Sequence, residues 1–70
     1  MIDMTFNLKA ARGVARMSQS EVAERLGVSR QTVAKWEKGE RCPSIIQGIE
    51  LAKCYNLPLS SIDFYKENQI

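Results

Sequence analysis

Ser18–Gly39 reads SQSEVAERLGVSRQTVAKWEKG, and two signals inside it split the stretch into a pair of short helices. Ser18 and Glu21 form the S-x-x-E capping box, in which the hydroxyl bonds the amide three residues on and the glutamate reaches back. Val22, Ala23 and Leu26 follow at the spacing of a buried helical face. Gly27 then stops the helix, because a left-handed terminal residue costs glycine no strain. Val28 returns to the core and Ser29 caps a further helix, Arg30–Lys38, with Val33 and Trp36 on its inner side, Ala34 open to either side and Gly39 as its stop. Two helices that cross steeply through a tight turn need a small residue where their backbones meet, a glycine in the turn and apolar residues on both inner faces. Ala23, Gly27 and the set Val22, Leu26, Val28, Val33 and Trp36 meet those needs, so residues 19–38 are expected to be a helix-turn-helix.

The flanks supply the packing that would hold this pair. NLKAARGVA (7–15) places Leu8, Ala11 and Ala15 on one face, with Thr5 as the expected cap. Gly13 inside that helix costs about 1 kcal/mol against alanine unless a close backbone contact offsets it. After a loop ending at Pro43, Ser44 and Gln47 form a second capping box, and Ile45, Ile49, Ala52 and either Cys54 or Tyr55 are expected on the buried side of a fourth helix. SSIDFYK (60–66) is read as a fifth, short helix with Ile62 and Phe64 or Tyr65 inward, and 66–70 as a loose tail. The 70 residues make one all-α domain of about five short helices, with no internal repeat and no strand.

Composition narrows the function. A chain this short buries only about 60% of its unfolded surface, so its stability margin is thin and self-association would help. The net charge is +2, but residues 1–41 carry +3 (eight Lys/Arg, five acids) and residues 42–70 carry −1. The positive field therefore lies on the half containing the helix pair. Cys42 and Cys54 lack histidine partners and zinc-like spacing, so no metal or other cofactor is expected and both thiols are read as free. The acidic start MIDMTFN is unlike a secretory leader, and a cytoplasmic location is expected. With no histidine, no glycine-rich phosphate loop and no facing carboxylates, an enzyme is excluded on inventory.

Taken with SQSEVAERLGVSRQTVAKWEKGERCPS and the later IELAKCYNLPLSSI, the chain resembles the phage repressor/Cro-type (Xre-like) helix-turn-helix family over about residues 7–64, which implies a lambda-repressor-like DNA-binding domain. In that family the second helix of the motif enters the major groove. The residues fit this on their own chemistry: Gln31 can pair with adenine N6 and N7, and Arg30 and Lys35 can donate to guanine O6 and N7. Ser29 and Thr32 offer short hydroxyl donors. By resemblance Gln19 holds a phosphate at the start of its helix, where the helix dipole favours an anion. Lys38, Arg41 and the amides around Gly39 are expected to hold the backbone on the other flank. The resemblance also implies that Arg12 pairs with Glu37 and aims near a phosphate, whereas spacing alone equally permits two unrelated surface charges. Trp36 is read as core rather than as a stacking platform.

The chain departs from the family pattern at Arg16, commonly glycine, at Gly48, commonly large and apolar, and at Ile46, commonly charged. An exposed isoleucine beside a glycine suggests an apolar patch, and a homodimer through Ile46, Ile62, Phe64, Tyr65 and Ile70 is expected. The leading reading is a sequence-specific regulator, a repressor that binds a pseudo-palindromic duplex operator without a small-molecule effector. The alternative is a protein-interaction module of antitoxin or co-regulator type on the same fold, disfavoured by the charged outer face of helix 30–38.

Overall fold

The computed structural model describes residues 5–64. Its elements run β1 (Phe6–Asn7), α1 (Leu8–Ala15), α2 (Gln19–Leu26), α3 (Arg30–Lys38), α4 (Ile45–Tyr55), a 3-10 turn (Leu59–Ser61) and β2 (Ile62–Asp63). Both expected capping boxes are made, Ser18 with Glu21 and Ser44 with Gln47. Ser29 Oγ accepts the Thr32 amide at the start of α3, and Gly27 and Gly39 take left-handed φ values of 73° and 80° at the ends of α2 and α3.

The helices pack around one core: Leu8 and Ala11 from α1, Val22 and Ala23 from α2, Val33 and Trp36 from α3, Leu51, Ala52 and Tyr55 from α4, and Ile62. Trp36 lies inside, as its motif position requires. Met17 packs against this core, and Cys54 Sγ donates to Met17 Sδ at 3.6 Å. The cysteines are free thiols, and burial raises the pKa of Cys54.

Three expectations are corrected. The segment read as a fifth helix is a single 3-10 turn followed by β2, which pairs in parallel with β1, Phe6 beside Ile62 and Asn7 beside Asp63. Ile62 faces inward and Asp63 outward, the two-residue alternation of a strand, and a run of isoleucine and aromatic residues favours that form. Among the described residues the fold is thus four α-helices tied by a small strand pair, not an all-α bundle of five. Secondly, Asn7 rather than Thr5 caps α1, its Oδ1 accepting the Ala10 amide at 2.8 Å. Thirdly, α4 buries Gly48, Leu51, Ala52 and Tyr55, leaving Ile45 and Ile49 exposed. Apolar residues occupy nearly every turn of IIQGIELAKCY, so two adjacent stripes have helical spacing and periodicity cannot choose between them. The large apolar side chain that α4 lacks at Gly48 is supplied by Phe64, whose ring would lie 3.5 Å from a β-carbon placed there.

Two positions leave stability unused. Arg16 ends α1 at φ 59°, a left-handed conformation that glycine adopts without strain. A β-carbon at Gly13 would meet nothing within 4 Å, so no close contact offsets its cost there. Arg16→Gly and Gly13→Ala are each expected to raise unfolding free energy by about 1 kcal/mol in urea titrations; a loss at either site contradicts the assigned backbone geometry.

Tyr55 supplies the pH dependence. Burial, helped by the nearby Glu37 charge, raises its phenol pKa above the ordinary value. The folded state therefore holds this proton more tightly than the unfolded chain, so its contribution is complete below about pH 10 and lost as pH rises beyond it. Melting temperature should fall above about pH 10, with Tyr55→Phe flattening the fall relative to its own neutral-pH value. An identical alkaline slope in the variant contradicts this.

Candidate nucleic-acid interface

The outer face of α3 follows from what its inner face buries. With Val33 and Trp36 inside, Arg30, Gln31, Lys35 and Lys38 are exposed on the other side, within an arc of about 140° at ~100° per residue. Ala34 is half-buried among them and leaves a low point between longer side chains. Arg41 is exposed just beyond the helix.

A network centred on Glu37 fixes this face. Arg12 Nε donates to Glu37 Oε2 at 2.6 Å and Arg12 Nη2 to Oε1 at 3.2 Å, a bidentate pair between α1 and α3. Gln19 Nε2, at the start of α2, donates to Glu37 Oε1 at 3.0 Å, and Arg30 Nη1 donates to Gln19 Oε1 at 3.2 Å. Arg12 Nη1 also donates to the Met17 carbonyl at 3.0 Å. The side chain of Glu37 is 5% exposed and that of Arg12 18%, so the pair is largely removed from water. The bond to Glu37 is the main cause of the raised Arg12 pKa. The open choice at Arg12 and Glu37 therefore resolves as a pair.

The candidate contacts divide accordingly. Arg30, Gln31, Lys35, Lys38 and Arg41 lie open to a ligand. Gln19 and Arg30, the first residues of adjoining helices, are brought together by the tight turn. Three of the N–H groups of Arg12 are engaged within the protein, making it chiefly a strut. Ser29 Oγ serves the cap and lies 3.0 Å from Thr32 Oγ1, so these hydroxyls are already partnered. The amides after α3 are also occupied: Gly39 N–H bonds Trp36 O, and the Glu40 and Arg41 N–H groups bond Lys35 O. They are not the free phosphate donors expected from the sequence. Of the expected dimer residues, Ile46 is exposed, Phe64 half-buried and Ile62 buried in the chain's own core; Tyr65 and Ile70 lie outside the described residues. Sequence reading missed the bonds from Gln19 to Glu37 and Arg30, for which the only signal was the helix-initial position of residues 19 and 30.

A helix-turn-helix family model matches residues 8–62, nearly the whole described domain. The chain belongs to the Xre/Cro-type helix-turn-helix family. Helix-turn-helix relatives include uncharacterized HTH-type transcriptional regulators of Methanocaldococcus jannaschii, 33% identical over 94% of this chain and 100% of the relative, and of Archaeoglobus fulgidus, 31% identical over 96% and 94%. A third, YgzD of Bacillus subtilis, is 31% identical over 91% of this chain and 97% of its own length. This helix-turn-helix protein is thus a member of a family of DNA-binding transcriptional regulators. Among the described residues no helix is long and apolar enough to cross a membrane, and no cluster of ligating side chains could hold a metal.

Removing Arg12 leaves Glu37 charged and mostly shielded from water. Arg12→Ala should cost about 3 kcal/mol of stability, the low end for breaking a buried pair because Arg12 keeps one edge solvated. Arg12→Lys should recover only part, since one ammonium cannot grip both carboxylate oxygens and the Met17 carbonyl. A loss under about 1 kcal/mol in urea unfolding would mark an ordinary surface pair.

Proposed function

We propose that the protein is a sequence-specific duplex DNA-binding regulator, a repressor that lays α3 in the major groove and reads bases with Gln31, Arg30 and Lys35. The observation that carries this reading is the exposure of those three side chains on a helix whose opposite face is locked by Val33, Trp36 and the Glu37 network. Lys38 and Arg41 lie beyond the reading positions and hold phosphates, with Gln19 on the opposite flank and Arg12 behind it. Ser29 and Thr32, partnered with each other, approach the backbone secondarily. The bond from Gln19 to Arg30 restrains the arginine before binding, which lowers the entropy lost when it meets a base.

A homodimer acting in the cytoplasm would present two copies of α3 about 34 Å apart, matching successive major grooves of a pseudo-palindromic operator. Repression then follows from occupancy of a promoter, with no effector molecule required.

The test begins by selecting bound sites from a random duplex pool. On the selected site, Gln31→Ala should cost about 1–3 kcal/mol and relax preference at one base position per half-site. Lys38→Ala should weaken selected and random duplex alike and reduce the slope of log K against log salt by about 1. Equal losses on both duplexes for both variants contradict the division between base and phosphate contacts.

A further inference from the structure

Four of the five exposed large hydrophobic residues of the described domain are gathered on one side. Ile45, Ile46 and Ile49 of α4 are 77%, 70% and 39% exposed, and Leu59 of the 3-10 turn is 49% exposed. At ~100° per residue the three isoleucines and Lys53 fall within an arc of about 100°, beside the buried stripe of Gly48, Leu51, Ala52 and Tyr55. Past its C-terminal half the same helix borders an open groove lined by Ile49, Lys53, Leu57, Pro58 and Leu59. Projecting isoleucines thus stand at one end of the face and a groove at the other.

We infer that this face, α4 together with the 3-10 turn, docks a second copy of the chain with the two α4 helices antiparallel about a two-fold axis. The inference deepens the proposed regulator by locating the surface that would pair its two reading helices. A two-fold interface must be complementary to itself, and a knob-and-groove surface on one helix meets that condition when the helix is met by its own reverse.

Area favours a second copy. The four side chains leave on the order of 400 Å² of apolar surface bare, a size at which patches on soluble proteins tend to be functional. Two copies bring about 800 Å², and the rim of Leu57, Pro58 and the stems of Lys53 and Glu50 carries the total toward the ~1,200 Å² of a specific interface. Charge sets a register. Glu50 and Lys53 lie one turn apart, so setting Lys53 against Glu50 of the second copy makes two opposite-charge contacts by symmetry. Four residues along, that register sets Ile46 against Leu57 of the second copy, at the groove. The inferred surface keeps Ile46 from the sequence expectation and replaces Ile62, which is buried, and Phe64, which is half-buried, with Ile45, Ile49 and Leu59; Tyr65 and Ile70 lie outside the described residues.

Sedimentation equilibrium of the 70-residue chain without DNA, from about 1 to 200 µM, tests the inference. The wild type should be dimeric at tens of micromolar. Ile46→Glu with Ile49→Glu should sediment as a monomer while keeping its far-ultraviolet circular dichroism, since both side chains face solvent. Glu50→Lys and Lys53→Glu should each raise the dimer dissociation constant several-fold, and the two together should restore it. A monomeric wild type overturns the inference and leaves the face to a different protein; a dimer indifferent to the isoleucine changes overturns it in favour of another surface. Failure of the charge pair to restore affinity overturns the register. Random-duplex binding by the wild-type chain at low salt tests the DNA reading separately, so a monomeric wild type that still binds DNA separates failure of this inference from failure of the proposed function.

Discussion

Glu37 holds its carboxylate where three helices meet, and the orientation of α3 depends on it. A carboxylate largely removed from water is unfavourable unless its lone pairs are engaged. Here both oxygens are engaged, one by Arg12 from α1 and the other by Arg12 and by Gln19 from α2. The resulting charge-assisted bonds are directional, so they constrain rotation of α3 about its axis in a way that apolar burial of Val33 and Trp36 alone would not. Rotation by even a fraction of a turn would swing Gln31 and Lys35 away from a shared surface. Specific recognition by a rigid helix needs that constraint.

The rest of the molecule supports the same surface economically. Seventy residues cannot bury a large core, so short elements are closed by local chemistry: serine caps on α2, α3 and α4, an asparagine cap on α1, and left-handed terminal residues at Arg16, Gly27, Gly39 and Asn56. Each cap ties up amides or carbonyls that would otherwise compete for partners. The strand pair clips the two ends of the described domain together, Phe6 against Ile62, without the length a further helix would require. Exposed polar residues occupy the outer face of α3, and bare apolar residues occupy α4 and the turn after it.

Much of this was legible in the sequence where local rules act alone. The two capping boxes, the Ser29 cap, both glycine stops and the inward position of Trp36 depend on neighbours within four residues, and each is made as expected. The misreadings share a different cause. SSIDFYK contains too few residues for periodicity to separate a helix from a strand, and its pairing partner lies more than fifty residues away. The buried stripe of α4 was ambiguous because isoleucine, leucine and alanine recur on two faces, and only tertiary packing, chiefly against α2 and α1 with Phe64 beside Gly48, selects one. On the candidate interface the exposed set Arg30, Gln31 and Lys35 followed from helical geometry, while the bonds joining Gln19 to Glu37 and Arg30 depend on how two helices meet in space.

On the proposed function, the outer face of α3, held by Glu37, is the surface that meets duplex DNA. Amide and side-chain NMR shifts recorded while duplex DNA is titrated into labelled protein test it most directly. Perturbations should concentrate at Arg30, Gln31 and Lys35, extend to Gln19, Lys38 and Arg41, and leave the α4 face near Ile46 and Ile49 unmoved at constant oligomeric state. Perturbations centred on α4 with α3 silent, or none at low salt, would contradict it.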